Sequence, residues 1–424
     1  MYRSALRRPR PTPLRNLIRT AGVLALLGLL TACAGPAAVI HVPCGKANLG
    51  LCKQRSPESQ SLVVFLDGTN NAADSYTNIS KLYNLVTLQP DPHIRTAYIR
   101  GVGTDGFFGR STSMATGMGI GEDVREAYRF LLDNYNPSRG DKIYIFGFSR
   151  GAYAGVILSS LLNSAGLPVA ADGSQRDKEA FVERIYKAFK GEKPIGLRRA
   201  EIAKLIGGDP RPVGIEFVGL WDSVSALGVP DYTINYRPSV NRYGDQVCNI
   251  KRLVHVVSAD DNRAQAFSPM LMTHNGLIEE CDDRKSIEDT VTEVWFAGAH
   301  SDVGGSYRNT HIGGVSLNWM IKRVPEIIPR QTDVFANELD ATNNGEQSIS
   351  FAYKAVNRPL HHFAEETGYN GGKLKVHRSV LRRLADRRPQ SFEYDWAAGF
   401  PGCFEPSGNG LRYIASCGRL EVVD

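Results

Sequence analysis

The stretch IYIFGFSRGAYAG, residues 143–155, determines how the rest of the chain is interpreted. An apolar run ends at Gly147, Ser149 follows, and a second glycine, Gly151, precedes small and apolar residues. A serine with only a structural role has no need of two flanking glycines. A serine on a sharp strand-to-helix turn needs them, because glycines let neighbouring backbone segments approach closely. The stretch therefore fits G-x-S-x-G and predicts a nucleophilic serine, with a purely structural turn as the alternative.

The pattern on both sides of this stretch predicts an α/β fold. Apolar runs typical of buried strands occur at residues 61–66, 94–99, 142–148, 214–222 and 292–300. Helical spacing of apolar residues occurs at 78–86, 122–135 and 150–166. Strands that alternate with helices favour a mostly parallel sheet with helices on both faces. Residues 168–212 are charged and helical in pattern, so we expect a helical insertion there, with a lid as its candidate role.

A serine hydroxyl is a poor nucleophile at neutral pH and needs a base and a group that orients the base. On a strand-to-helix turn of this type, the partners follow in the order serine, acid, histidine. They are expected at the carboxyl ends of strands, where open α/β sheets bind ligands. Asp222 ends one predicted strand and His300 ends a later one. We therefore predict Ser149 as nucleophile, His300 as base and Asp222 as the residue that orients it.

Other histidines and acids compete for these roles. His377, just before a predicted helix, is the second choice as base, and His255 lies inside an apolar run that favours a core position. Asp260 and Asp261 follow that apolar run and compete with Asp222. Asp302, two residues after His300, is a supporting residue that either steadies the turn or binds substrate.

An oxyanion hole is expected beside the serine. Its first donor should be the N–H group of Arg150, which directly follows the nucleophile, and the second should come from an early loop. The loop after the first predicted strand offers Gly68 and Thr69. Asp67 precedes them and either holds this loop by hydrogen bonds or caps a turn. No nucleotide cofactor is predicted, because GMGIGE at residues 117–122 lacks both the G-x-x-G spacing and a preceding strand.

Residues 1–32 have the features of a secretory signal. Six arginines and no acids precede the ten-residue apolar run AGVLALLGLL, which is too short to span a bilayer. The following LTAC, residues 30–33, resembles the processing site of bacterial lipoproteins, which implies cleavage before Cys33 and a lipid on its sulfur. Ala34 after the cysteine points to the outer membrane, facing the periplasm. An ordinary signal peptide is the alternative, and residues 33–60 are expected to form a tether.

Charge and cysteine usage limit the partners. The chain carries 50 Lys and Arg against 44 Asp and Glu, so removal of the six signal arginines leaves 44 against 44, and this neutrality does not favour a nucleic-acid partner. Beyond Cys33 six cysteines remain, an even number that favours disulfides in an oxidising compartment. Pairing of sequence neighbours would give Cys44–Cys52, Cys248–Cys281 and Cys403–Cys417. No metal site is predicted, because closely spaced C-x-x-C pairs are missing.

Several stretches carry a family likeness. In chain order they are VVFLDGTNN, GVGT, GMGIGEDVREAYRFLLDNY, IYIFGFSRGAYAG, EFVGLWDSVSALG, SADDNRAQAFSPML, VWFAGAHSDVGGSY and KVHRSVLRRL. They resemble the α/β-hydrolase domain family that includes phospholipase effectors of type VI secretion. The resemblance spans about residues 61–385, and residues 386–424 are expected to pack on that domain as a C-terminal extension. It implies an α/β-hydrolase-like fold and ester hydrolysis through Ser149, Asp222 and His300, with lipid esters as the leading substrate class.

Two interpretations follow for the whole chain. In the first, it is a serine hydrolase of the cell envelope, anchored to the membrane through Cys33, that cleaves lipid or other esters as an effector or as a resident enzyme. In the second, it is a catalytically silent lipoprotein that uses the hydrolase fold as a binding module. An intact set of Ser149, Asp222 and His300 favours the first.

Overall fold

The computed structural model describes residues 39–41 and most of 58–424. The gaps are residues 69–70, 72–74, 89–90, 102–118, 169–173, 192, 225–245, 265–266, 274–276, 279–280, 282–285, 308–310, 329–355, 368 and 391–392. The predicted signal, Cys33, the pair Cys44–Cys52 and Thr69 lie outside the described residues. Within the described residues, no helix is long and apolar enough to cross a membrane.

Among the residues that the structure describes, nine strands form one sheet. The strands of this sheet are β1 (Val39–His41), β2 (Ser61–Leu66), β3 (Ile94–Ile99), β4 (Lys142–Phe148), β5 (Phe217–Trp221), β6 (Leu253–Ser258), β7 (Val291–Phe296), β8 (Leu374–His377) and β11 (Leu420–Val423). A separate hairpin consists of β9 (Phe404–Ser407) and β10 (Gly410–Tyr413). The sheet order is β1-β3-β2-β4-β5-β6-β7-β8-β11, and β9 pairs with β10. All neighbours in the sheet are parallel except β1, which is antiparallel to β3. The predicted α/β class and mostly parallel sheet are confirmed.

Helices cover both faces of this sheet. They are α1 (Asn78–Leu88), α2 (Ile120–Asn134), α3 (Arg150–Ala165), α4 (Gln175–Phe189), α5 (Ile195–Ile206), α6 (Ile287–Thr290), α7 (His300–Gly304), α8 (His311–Ile321), α9 (Leu360–Thr367), α10 (Arg378–Asp386) and α11 (Trp396–Gly399). Because side chains of a strand alternate between faces, Val64 of β2 packs in the core with α2 and α3, whereas Val63 packs in the core with α1 and α8. Burial on both faces explains why the strands are almost wholly apolar.

The strand order reverses beside β2, and this reversal locates the site. Leu66 at the end of β2 lies opposite Ile99 of β3 on one side and Gly147 of β4 on the other. The chain runs from β2 outward to β3, then returns across the sheet to β4. In open α/β sheets, ligands bind outside the carboxyl ends of the strands at such a switch point. Ser149, which directly follows β4, lies at this place.

The segments expected as a tether, an insertion and a C-terminal extension all contribute helices or strands to the domain. The predicted insertion at residues 168–212 contains α4, which contacts α2 and α3, and α5, which contacts α3. Phe189 and Ile202 of these helices join the core. Its role as a lid stays a prediction. The expected tether contains β1, and the C-terminal extension contributes β11, which pairs with β8 in the main sheet.

Two disulfides fasten the described part of the chain. Cys248 is bonded to Cys281, and Cys403 is bonded to Cys417, the pairs expected from neighbouring cysteines. The first closes a sequence separation of 33 residues and the second a separation of 14. Cross-links restrict the unfolded chain, and the effect grows with the length of the closed loop.

Loss of the Cys248–Cys281 disulfide should destabilise the fold. We expect Cys248→Ser/Cys281→Ser to lower the free energy of unfolding by roughly 2–4 kcal/mol, measured by urea denaturation without reductant. Cys403→Ser/Cys417→Ser, which opens the shorter loop, should lose somewhat less. Denaturation midpoints equal to that of the parent protein would show that these cross-links contribute nothing to stability.

Candidate active site

The backbone at Ser149 forms a sharp turn between β4 and α3. Ser149 has φ 58° and ψ −125°, an uncommon conformation for a residue other than glycine. A Cβ atom at Gly147 would lie 2.6 Å from the Cα atom of Ala152. A Cβ atom at Gly151 would collide with the carbonyl oxygen of Leu66 and lie 2.6 Å from that of Asp67. The two glycines of the motif are therefore required by the close approach of α3 to β2 and to its own strand.

Three predicted residues meet at the carboxyl edge of the sheet. His300 Nε2 lies 2.9 Å from Ser149 Oγ, and His300 Nδ1 lies 2.6 Å from Asp222 Oδ2. Ser149 is 6% exposed, His300 4% and Asp222 0%. A carboxylate accepts hydrogen bonds, so Nδ1 carries a proton and Nε2 is left to accept the proton of the serine hydroxyl. This geometry suits an imidazole that acts as a general base toward Ser149.

The carboxylate of Asp222 is held by three further donors. The Ser258 N–H group donates to Oδ1 at 2.9 Å. Arg358 Nη1 donates to Oδ1 at 2.7 Å, and Arg358 Nη2 donates to Oδ2 at 2.9 Å. Burial by itself would raise the pKa of Asp222, but the Arg358 guanidinium and the hydrogen bond with His300 hold that pKa well below its usual range. Asp222 is therefore ionised throughout the neutral range.

The competing acids bind backbone around His300 rather than its ring. Asp261 Oδ2 accepts from the His300 N–H group at 3.2 Å, and Asp260 Oδ2 accepts from Gly298 N–H at 2.7 Å. Asp302 Oδ2 accepts from Ala299 N–H at 3.1 Å, at the start of α7. These three carboxylates fix the turn that delivers His300, and Asp222 is the acid in contact with its ring.

The competing histidines have structural partners. His255 Nε2 accepts from the Ser223 N–H group at 3.0 Å, and its Nδ1 donates to Glu293 Oε2 at 2.7 Å, inside the sheet. His377 Nδ1 lies 2.7 Å from Ser379 Oγ at the start of α10, and burial, followed by nearby cations, lowers its pKa to about 4. Neither is in contact with Ser149.

Aromatic rings and an asparagine fix His300 further. The imidazole lies 4.8 Å from the ring of Phe148 and 4.9 Å from that of Phe267, measured between centroids. Asn78, at the start of α1, donates from Nδ2 to the carbonyl oxygens of Val303 at 2.9 Å and Gly313 at 3.1 Å. The helix that begins with His300 is thus tied to the opposite side of the switch point.

Asp67 organises the loop after β2. Its carboxylate accepts from the Gly68 N–H group at 2.7 Å, from Thr77 Oγ1 at 2.7 Å and from the Tyr98 hydroxyl. Burial raises the pKa of Asp67 to about 6, although these hydrogen bonds oppose the rise. Asp67 therefore holds the loop, as one of its two interpretations predicted.

Of the residues predicted to donate to an oxyanion, Gly68 and Arg150 lie within the described residues. The Gly68 N–H group already donates to Asp67, so it would have to leave that carboxylate to bind an oxyanion. Arg150 is the first residue of α3, so its N–H group adjoins the nucleophile at the end of the helix where the dipole favours negative charge. The Arg150 N–H group is therefore placed beside Ser149 by the start of this helix.

Arg358 is the charged residue of the site that sequence reasoning missed. It lies in NRPLHH, a stretch without strand or helix periodicity, 136 residues after the carboxylate it contacts. A lone arginine before a proline carries no sequence signal for such a contact. Among the described residues, no cluster of His, Cys, Asp and Glu could hold a metal ion.

Residues 60–323 match the family model described as "T6SS, Phospholipase effector Tle1-like, catalytic domain". The chain belongs to this family. The predicted family likeness is confirmed by this match. Ser149, Asp222 and His300 all lie within the matched residues, whereas Arg358 lies beyond them.

Individual proteins that resemble this chain share less than a third of the aligned residues with it. The uncharacterized protein YEL023C of Saccharomyces cerevisiae is 27% identical over 240 residues, which cover 51% of this chain and 34% of the yeast protein. An uncharacterized protein from Pseudomonas aeruginosa aligns at 18% identity and TM-score 0.34, over 64% of this chain and 46% of its own. The Tle1 effector bound to the VgrG spike aligns at 21% identity and TM-score 0.31, over 59% and 51%. This chain thus spans about a third to a half of these relatives.

Substitution at the second motif glycine should disrupt the fold. In Gly151→Ala the added Cβ meets backbone carbonyl oxygens of Leu66 and Asp67, which cannot rotate away. We expect a loss of more than about 2 kcal/mol in the free energy of unfolding, measured by chemical denaturation. Gly208→Ala is the control, because a Cβ there meets nothing within 4 Å, and its change should stay within about 0.5 kcal/mol. Equal stabilities of the two variants would refute the close-approach explanation.

Proposed function

We propose that the protein cleaves carboxylic esters through Ser149, His300 and Asp222. His300 Nε2 accepts the hydroxyl proton while Ser149 Oγ attacks the ester carbonyl carbon. The tetrahedral intermediate collapses, His300 returns the proton to the leaving alcohol, and an acyl group remains on Ser149. Water, deprotonated by His300, then releases the acid and restores the serine. The continuous hydrogen-bond chain from Ser149 Oγ through His300 to Asp222 carries this proposal.

The intermediate needs donors for its negative oxygen. The Arg150 N–H group at the start of α3 is the proposed principal donor, because it adjoins the nucleophile and lies at the positive end of the helix dipole. Gly68 and Thr69 remain proposals for the second donor. Gly68 would serve after its N–H group leaves the Asp67 carboxylate, a change that substrate binding could drive.

Lipid esters are the proposed substrates. The description of the matched family names phospholipase effectors, which supports this class. The aromatic rings of Phe148 and Phe267, which both contact the His300 ring, give the site apolar surroundings that suit acyl chains. A site for small soluble esters is the narrower alternative.

The membrane is the proposed location, through a lipid on Cys33. In β1, Val39 lies opposite Ile99, the last residue of β3, at the same edge of the sheet as Ser149. Cys33 precedes Val39 by six residues, and six extended residues reach at most about 20 Å. An anchor at Cys33 would therefore hold the catalytic edge close to the membrane surface, which would favour hydrolysis of lipids in that membrane.

Hydrolysis should depend on Ser149. We expect the protein without its signal to release fatty acids from phospholipid vesicles and Ser149→Ala to lose at least about 10³-fold in rate, because the nucleophile is gone. Free fatty acid is measured beside a series of synthetic esters of rising chain length. Serine-dependent cleavage of short esters alone would contradict the lipid substrate, and equal rates for both proteins would contradict the catalytic role of Ser149.

The anchor has its own test. In cells that carry out lipoprotein processing, Cys33→Ser should move the protein from the membrane fraction to the soluble fraction and abolish incorporation of labelled fatty acid, since serine offers no thiol for the lipid. The control is Cys403→Ser, which removes a cysteine that is bonded to Cys417 and is not the predicted lipid site. This variant should keep the label. Equal labelling of Cys33→Ser and the parent protein would exclude lipidation at this residue.

A further inference from the structure

We propose that Arg358 is a positioning residue of this site, which clamps the carboxylate of Asp222 and limits the negative charge that Asp222 presents to His300. The expected effect on ester hydrolysis rests on the proposed function. The expected effect on the protonation of His300 depends only on the contacts among Arg358, Asp222 and His300. Arg358 touches no reacting atom and would act through Asp222 and His300.

Both η nitrogens of the Arg358 guanidinium are engaged with the site. Its two η nitrogens donate to the two oxygens of Asp222, the bidentate geometry that matches a guanidinium to a carboxylate. The same nitrogens donate to the carbonyl oxygens of Ser258 at 2.7 Å and Phe267 at 2.5 Å. Arg358 and Asp222 are both 0% exposed. A buried cation with this many acceptors has one well-defined position.

The backbone before Arg358 is fastened to the chain that follows β6. The Val356 N–H group donates to the Asn262 carbonyl oxygen at 2.8 Å, and the Ala264 N–H group donates to the Val356 carbonyl oxygen at 3.1 Å. The segment that carries Arg358 is thus laid beside the residues that include Asp261. Since the family match ends at residue 323, Arg358 would add a residue beyond the matched domain to the proposed site.

Among the described residues, other charged groups lie near the pair of Arg358 and Asp222. Asp261 contacts the His300 backbone and is itself paired with Arg263, whose Nη2 lies 2.7 Å from its Oδ2. Asp302 lies at the start of α7 and accepts from the Ala299 N–H group. Arg358 is the cation in direct contact with Asp222, so its removal would leave the negative charge of Asp222 directed mainly at His300.

This arrangement has a measurable consequence. An Asp222 without its clamp would stabilise the protonated imidazole more strongly, and the enzyme would lose its neutral base at higher pH. The acid limb of the kcat/KM profile, which reports protonation of the free enzyme's base, should therefore move to higher pH when Arg358 is replaced. A role in stability alone would lower the yield of folded protein without moving this limb.

The test compares three variants by the pH profile of kcat/KM on a soluble ester. Arg358→Met should shift the acid limb upward by about one pH unit, the size of shift that a neighbouring charge produces. Arg358→Lys keeps the charge and should keep the limb near its original place, with a lower rate. Arg139→Met is the matched control, because Arg139 makes a bidentate contact with buried Asp141 near the opposite end of β4, and its limb should not move. Coincident limbs for Arg358→Met and the parent protein would overturn the proposal.

Protonation of His300 can also be followed without catalysis. In ¹⁵N-histidine-labelled protein, the His300 resonances are identified by their loss in His300→Gln, and their titration is compared between the parent protein and the two Arg358 variants. If the titration moves upward in Arg358→Met but the parent protein cleaves no ester, the proposed function is refuted and the positioning role is supported. An unmoved titration would refute the positioning role even in an active enzyme. If Arg358→Met does not fold, the titration is compared between Asp222→Asn/Arg358→Met and Asp222→Asn. An unchanged titration supports the proposal, because the carboxylate through which Arg358 acts is gone, and an upward shift as large as the one-unit prediction overturns it, because Arg358 would then act on His300 directly.

Discussion

A buried carboxylate is the constraint on which the site depends. Asp222 lies in the interior as an anion, and an anion there is costly unless hydrogen bonds and an opposite charge compensate it. Its donors come from the end of β6, from α7 and from the segment before α9, at Ser258, His300 and Arg358. To satisfy Asp222, the chain must bring these parts together at one edge of the sheet, and the same contacts orient the imidazole toward Ser149.

The glycines of the motif serve the same edge from the other side. Gly147 and Gly151 let α3 begin directly against β2 and β4, and no side chain larger than hydrogen fits at either position. The positive φ of Ser149 is one result of this tight turn. Strain of this kind costs of order 1–3 kcal/mol and persists where the surrounding structure over-determines the backbone. Here the apolar sheet core supplies that support, so the hydroxyl stays within reach of His300.

Much of this arrangement is predictable from sequence because it follows from strands. Ser149, Asp222 and His300 each follow or end an apolar run, and parallel strands deliver their carboxyl ends to one edge. Arg358 was not predictable, because its contact joins residues far apart in sequence and its own stretch has no periodicity. The strands β1 and β11 were missed for a related reason: both are short edge strands whose pairing is decided by tertiary contacts. The hydrogen bond from Gly68 to Asp67 likewise depends on loop geometry that composition does not encode.

The central claim is that Ser149 is a nucleophile activated by His300. The most direct measurement is mass spectrometry of peptides after treatment with a fluorophosphonate, which reacts with activated serines. The account predicts one adduct in the parent protein, on the peptide that contains Ser149, and its loss or strong slowing in His300→Ala. A parent protein without an adduct at Ser149, or an adduct that forms equally fast in His300→Ala, would contradict it.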